Sequence, residues 1–295
     1  MNMKIKATLT LSLLASLVLT ACGGGGGSDP APTSSSNASA PSTASSPTGA
    51  SSPAGASTPA VSGEQLPSLT SPQAGSTAAT GNGLEGIWTT PSGVSMTNGF
   101  IDPQGNLSSL NSVGGFGVSE FFGVLAGTAP NWTLTSGTAF ISNVYYPTTA
   151  GSGTFAANQT FTGSYTDNGS TTSLSWIYDA ANALAVTQSS VAGTWAETGS
   201  SLTIAGDGSL TGNLGGCQVS GTLLLTTPSS SKNLYTLSVT GTSATCTLQS
   251  GTTYSGNAAI KFLPISGSSL YTRSIFYLIK SADNATLAYG QLKPQ

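Results

Sequence analysis

The chain has 295 residues, of which 38% are apolar and only 6% charged, with a formal charge of −3 and no histidine. That balance excludes a phosphate-backbone binder, which needs clustered Lys and Arg, and removes the commonest general base and metal ligand. All 22 aromatic residues lie within residues 88–295, so the part able to bury a core lies there too.

Lys4 and Lys6 precede an apolar run from Ala7 to Leu19, broken only by Thr and Ser. The run is too short to cross a hydrocarbon core, which takes about 20 residues, and its basic flank makes it a secretory signal over residues 1–21. Leu19-Thr20-Ala21-Cys22 then resembles the lipobox of bacterial lipoproteins. The resemblance implies cleavage before Cys22 and acylation of that cysteine. Gly23 in place of Asp favours the outer membrane. Two acyl chains already anchor stably, so the three usual in this class would hold the protein permanently.

Residues 22–82 read as the lipidated Cys followed by a disordered linker. A run of glycines from Gly23 to Gly27 leads into Ser, Thr, Ala and Pro, with Asp29 and Glu64 as the sole charges. No apolar face offsets the entropy of ordering such a chain. As a flexible coil it would reach roughly 40 Å. The glycine run also resembles the start of surface lipoproteins of the transferrin-binding type. Blocks such as Ala40-Pro41-Ser42-Thr43 read either as a bare spacer or as a segment for O-glycosylation.

Beyond residue 83 short apolar stretches alternate with Gly, Asn and Asp, the pattern of an antiparallel all-β protein. An internal repeat runs through it. Gly86-Ile87-Trp88 matches Gly193-Thr194-Trp195, and Ile101 to Leu107 matches Ile204 to Leu210. Trp132-Thr133-Leu134 matches Tyr235-Thr236-Leu237, and Phe161-Thr162-Gly163 matches Tyr254-Ser255-Gly256. The expectation is two tandem small antiparallel β-barrel or β-sandwich domains, 83–190 and 191–295, each of about eight strands. A single continuous barrel or sandwich is the alternative. Pro103-Gln104-Gly105, Asp167-Asn168-Gly169 and Gly206-Asp207-Gly208 are tight turns. Leu223-Leu224-Leu225 and Ser274 to Ile279 read as strands covered on both sides, and a turn or two of helix near Asp179 to Val186 joins the copies.

The Gly-x-Trp openings resemble those of lipocalins. Gly193-Thr194-Trp195 with Ser201, Asp207-Gly208 and Leu210-Thr211-Gly212 is similar to the first hairpin of avidin-type barrels. These likenesses imply closed barrels. Biotin binding is not carried over, because the further ligand-contacting tryptophans of the avidin family have no counterpart here. Trp88 and Trp195 therefore read as plugs of one barrel end, with ligand contact as the alternative.

Little catalytic chemistry is on offer. With Cys22 taking lipid, Cys217 and Cys246 remain for a structural disulfide in an oxidising compartment; no Cys-x-x-Cys and no His points to a metal or redox site. A Ser–Lys dyad would need Lys261 or Lys280, and no motif marks either. Asp102, Asp207 and Asp283 sit in turns for backbone reasons. No catalytic residue, metal ligand or cofactor is expected. Residues 84–190 hold five acids and no base, whereas 191–295 hold three acids and five bases. The surface left over, rich in Ser, Thr, Asn and Tyr, suits polar recognition. The function expected is non-catalytic binding of a protein or glycan at the cell surface or in the periplasm, with the membrane as partner through the anchor and no nucleic acid. The alternative is a small-ligand carrier with a lipocalin-like barrel cavity.

Overall fold

A computed structural model describes residues 63–91, 93–142, 144–227 and 232–295. The expected signal segment, Cys22 and the linker as far as residue 62 lie outside the described residues. The first strands are β1 (Gly86–Thr89), β2 (Ser95–Ile101), β3 (Asn106–Val113), β4 (Phe116–Thr128), β5 (Asn131–Ile141), β6 (Val144–Ala156), β7 (Thr160–Asp167) and β8 (Ser170–Tyr178). Each pairs antiparallel with the next, and β8 returns to β1 through Trp88 opposite Tyr178 to close a barrel. A second closed barrel follows, of β9 (Gly193–Glu197), β10 (Ser200–Ile204), β11 (Ser209–Leu214), β12 (Cys217–Leu225), β13 (Tyr235–Gly241), β14 (Thr253–Pro264), β15 (Tyr271–Ser281) and β16 (Leu287–Pro294). Here Pro294 opposite Trp195 completes the ring. Closure leaves neither sheet with an exposed edge.

Side-chain alternation explains the burial. On β12, Cys217, Val219, Leu223 and Leu225 face the core while Leu224 is 43% exposed, so the leucine run is covered on one side and not on both as expected. Ser274 to Ile279 on β15 is buried throughout. Its odd positions Ile275, Tyr277 and Ile279 enter the second barrel. Phe276 and Leu278 face outward and meet Ile87, Phe100, Leu110, Phe122 and Phe140 of the first. Phe100 and Phe276 lie 5.7 Å apart between ring centroids, and Ser108 Oγ bonds Asn257 Oδ1 across the junction at 2.8 Å.

The first barrel is filled with aromatic rings. Phe161 stacks between Trp132 at 4.8 Å and Trp176 at 5.3 Å, and Trp88 meets Tyr178 edge-on at 5.0 Å. The Trp132 ring fits because Gly153 and Gly163, opposite one another on β6 and β7, lack side chains; a Cβ on either would come within 2.7 Å of the indole. The β7–β8 hairpin turns through Asn168 and Gly169 at φ 41° and 74°, the left-handed pair that a two-residue turn requires.

Both barrels have a lower end, where β1 and β9 begin, and an upper end, where they finish. Two 3-10 turns, Ala180–Ala183 and Gln188–Val191, join the barrels along the lower side. Asn182 bonds both the N–H and the C=O of Ile87, at 2.9 and 2.8 Å, and Asn233 does the same to Ile260 at 3.0 and 2.8 Å. Each amide thus stands in for a neighbouring strand residue and satisfies buried backbone.

Residues 63–82, expected as linker, instead pack beneath both lower ends. Glu64 forms a two-way backbone bridge to Tyr271 and receives a bidentate contact from Arg273, one arm at 2.9 Å. Gln73 N donates to Ala183 O, Tyr178 Oη to Ala78 O, and Lys232 Nζ to Thr80 O at 2.6 Å. The segment shows no periodicity because it lays irregular backbone on surfaces that other residues build.

Candidate functional site

Trp88 and Trp195 occupy equivalent places. Both are buried, and each indole N–H donates to the carbonyl four residues earlier, Leu84 at 2.7 Å and Val191 at 2.8 Å. The repeat is therefore physical at these positions, and at Ile101/Ile204 and Trp132/Tyr235, which sit on corresponding strands. The fourth match does not correspond, since Phe161 lies on the seventh strand of its barrel and Tyr254 on the sixth. Neither tryptophan lines the two cavities described below.

The larger cavity, of about 550 Å³, is a groove between the barrels. Its floor is the bonded pair Ser108 and Asn257, and its walls carry Ser136 and Thr138 on one side, Thr236 and Ser255 on the other. Tyr145 stands at the rim, 47% exposed, edge-on to Phe140. Lys280 is the one cation among the lining residues, and its ammonium lies 5.4 Å from the centre of the Phe122 ring. Burial holds its pKa below the usual lysine value, with Asp283 opposing. The Oδ1 of Asn284 is buried there without a hydrogen-bond partner. Asp102 also lines the groove, but its carboxylate is committed to its own turn, accepting from Gln104 N, Asn106 N and Asn106 Nδ2 at 2.7–2.9 Å.

The second cavity, of about 450 Å³, is the upper mouth of the second barrel. Leu214, Cys217, Leu248 and Tyr277 form its floor, with Tyr289 and Glu197 on its walls. Glu197 accepts from Tyr277 Oη at 3.2 Å and from Gln291 N at 2.8 Å. Burial, and then the carboxylate beside it, pushes the Tyr277 phenol well above its ordinary value. Cys217 and Cys246 are free thiols, with Cys246 in the 242–252 loop rather than on a strand paired with Cys217. The bond expected between them is not formed. Cys246 Sγ lies 3.7 Å from the carbonyl oxygen of Gly216, the residue before Cys217, and the neighbouring Cys217 thiol first, then burial, pushes the Cys246 thiol up.

Of the lysines weighed for a dyad, Lys261 is ion-paired with Asp179 and Lys280 sits over Phe122. Asp207 and Asp283 accept from the backbone of Ser209 and Ala285, so both serve their turns. At the upper end of the first barrel, Val94, Met96, Val113, Phe116, Ile141 and Val144 form an apolar crown, with Phe116 78% and Val94 77% exposed. It faces away from residues 63–82.

Sequence reasoning missed the groove because its residues come from both copies, about 90 to 180 positions apart. A signal existed nonetheless: Phe100-Ile101 and Phe121-Phe122 put apolar side chains at successive positions, which on a strand demands cover on both faces. Comparison with known protein families, with characterised proteins and with solved structures found no match to this chain.

Proposed function

We propose that the chain is a non-catalytic binding protein of the cell envelope, held to the outer membrane through an acylated Cys22, that takes a glycan in the groove between its barrels. The observation that carries this reading is the lining of that groove. Side-chain amides and hydroxyls of Asn106, Ser136, Thr138, Thr236, Ser255 and Asn284 line it, with the exposed ring of Tyr145 at its rim. Sugar hydroxyls pair with amides and hydroxyls in both directions, and aromatic faces take the C–H face of the ring. The volume falls within the range of about 300–1,000 Å³ that small-ligand sites occupy.

The test is a glycan array probed with the full chain, followed by calorimetry on any hit. Tyr145→Ala and Asn284→Ala should each weaken binding by about tenfold, equivalent to ~1.4 kcal/mol, without lowering Tm by more than a few degrees. An array with no bound glycan, or binding indifferent to both changes, refutes the site. Loss of acyl labelling and release from membranes in Cys22→Ser tests the anchor separately.

A second reading, protein docking, is favoured by the crown on the first barrel, where six large apolar side chains stand exposed at one end, as side chains at interaction sites do. Phe116→Ser should abolish such a contact and leave glycan binding intact. The carrier reading is confined to the mouth of the second barrel, since the interior beneath it is filled by the side chains of the core.

A further inference from the structure

Cys217 begins β12 and its thiol is buried in the floor of the mouth cavity. Cys246 lies midway along the loop that joins β13 to β14; its half-buried Sγ donates to Gly216 O at 3.7 Å, one residue before Cys217, and its side chain packs against the core cluster that holds Cys217. The loop is bonded to the barrel by backbone at its two feet, through Thr242 N to Gln218 O and Gly251 N to Gly241 O, both 2.9 Å. Between the feet, side chains hold it: Leu248 is buried in the core and Gln249 N donates to the Tyr254 hydroxyl at 2.8 Å. Thr247 and Leu248 of the loop line the mouth together with Cys217. The two cysteines therefore stand side by side where the loop crosses the barrel rim.

We infer that Cys217 and Cys246 form a thiol–disulfide switch that clamps the 242–252 loop over the mouth of the second barrel. Cys246 is the more accessible and reacts first. Its thiolate attacks one sulfur of a disulfide donor, protein or small molecule, and the departing thiolate takes up the proton that Cys246 lost. The Cys217 thiolate then attacks the Cys246 sulfur of the mixed disulfide and expels the second donor thiol. Two protein thiols become one disulfide, and the donor disulfide becomes two thiols. Oxidation ties the 242–252 loop to the start of β12, and reduction by a dithiol frees the loop while leaving both feet bonded. This switch acts on a cavity distinct from the glycan groove and does not depend on that reading.

The experiment uses the folded full chain, equilibrated with oxidised glutathione or with dithiothreitol and then alkylated with iodoacetamide. The oxidised sample should yield one peptide pair cross-linked through 217 and 246 and resist alkylation at both. Backbone amides of residues 243–248 should exchange with solvent at least tenfold more slowly in the oxidised than in the reduced protein, while those of β15 stay unchanged. Cys246→Ser should exchange like the reduced chain under either treatment. Alkylation of both cysteines after oxidation overturns the proposal. So does a cross-linked chain whose loop exchanges as fast as the reduced one.

Discussion

Lys261→Met cuts the strongest ionic tie between the linking turn and the second barrel. Lys261 lies on β14 and its ammonium contacts Asp179 Oδ2, with side-chain exposures of 12% and 13%. The other carboxylate oxygen of Asp179 accepts from Ala181 N at 2.8 Å and so starts the 3-10 turn. Methionine keeps most of the side-chain volume but leaves Asp179 a largely buried carboxylate with one oxygen stripped of its partner. Removing one member of a buried pair costs about 3–5 kcal/mol, and the residual exposure here places the loss near the lower figure, ~3 kcal/mol. The double change Asp179→Asn, Lys261→Met removes both charges and should recover most of that loss. Urea unfolding followed by tryptophan fluorescence measures it, since Trp88, Trp132, Trp176 and Trp195 are all buried. A single-variant loss below ~1 kcal/mol, the value of an exposed pair, refutes the reasoning.

Three further changes probe other layers of the structure. Glu120, half-buried on β4, has its carboxyl pushed up to about 7 by burial, so the folded state holds its proton more tightly than the unfolded one. Its contribution to stability is therefore lost as pH rises from about 4.5 through 7; Glu120→Gln should narrow the difference in Tm between pH 5 and pH 8, and an unchanged difference counts against the assignment. Gly163→Ala should cost ~3 kcal/mol or more in the same urea assay, because φ is 151° and the new Cβ would stand 2.4 Å from Ser152 O and 2.5 Å from Trp132. Trp88→Phe and Trp195→Phe each strip a buried carbonyl of its donor and should each cost about 2 kcal/mol; losses differing by more than ~2 kcal/mol would argue that the two positions are not equivalent.

The strands and turns were legible because period-two alternation and left-handed turn residues are local properties. Ser201 to Ile204 and Asn168-Gly169 state their conformation within a few residues. The tandem order was legible from Trp88 and Trp195, whose shared bond to position i−4 needs only the local chain. What stayed hidden depends on pairing between distant surfaces. Composition alone assigned residues 63–82 to a linker, because Glu64 and Thr80 gain their partners from Tyr271, Arg273 and Lys232, about 150 to 210 positions later. The leucine run of β12 and the apolar run of β15 look alike in sequence; only the neighbouring barrel distinguishes them, covering Phe276 and Leu278 and leaving Leu224 in water. The groove likewise exists only once two copies stand side by side.

The path of residues 63–82 also decides how the molecule carries a load. Tension applied at residue 63 does not fall directly on β1. It meets the Glu64–Tyr271 bridge first, then the bonds at Gln73, Ala78 and Thr80 in succession, one barrel buttressing the other. A pull there would have to strip these bonds, which reach both barrels, before it came to bear on the first strand.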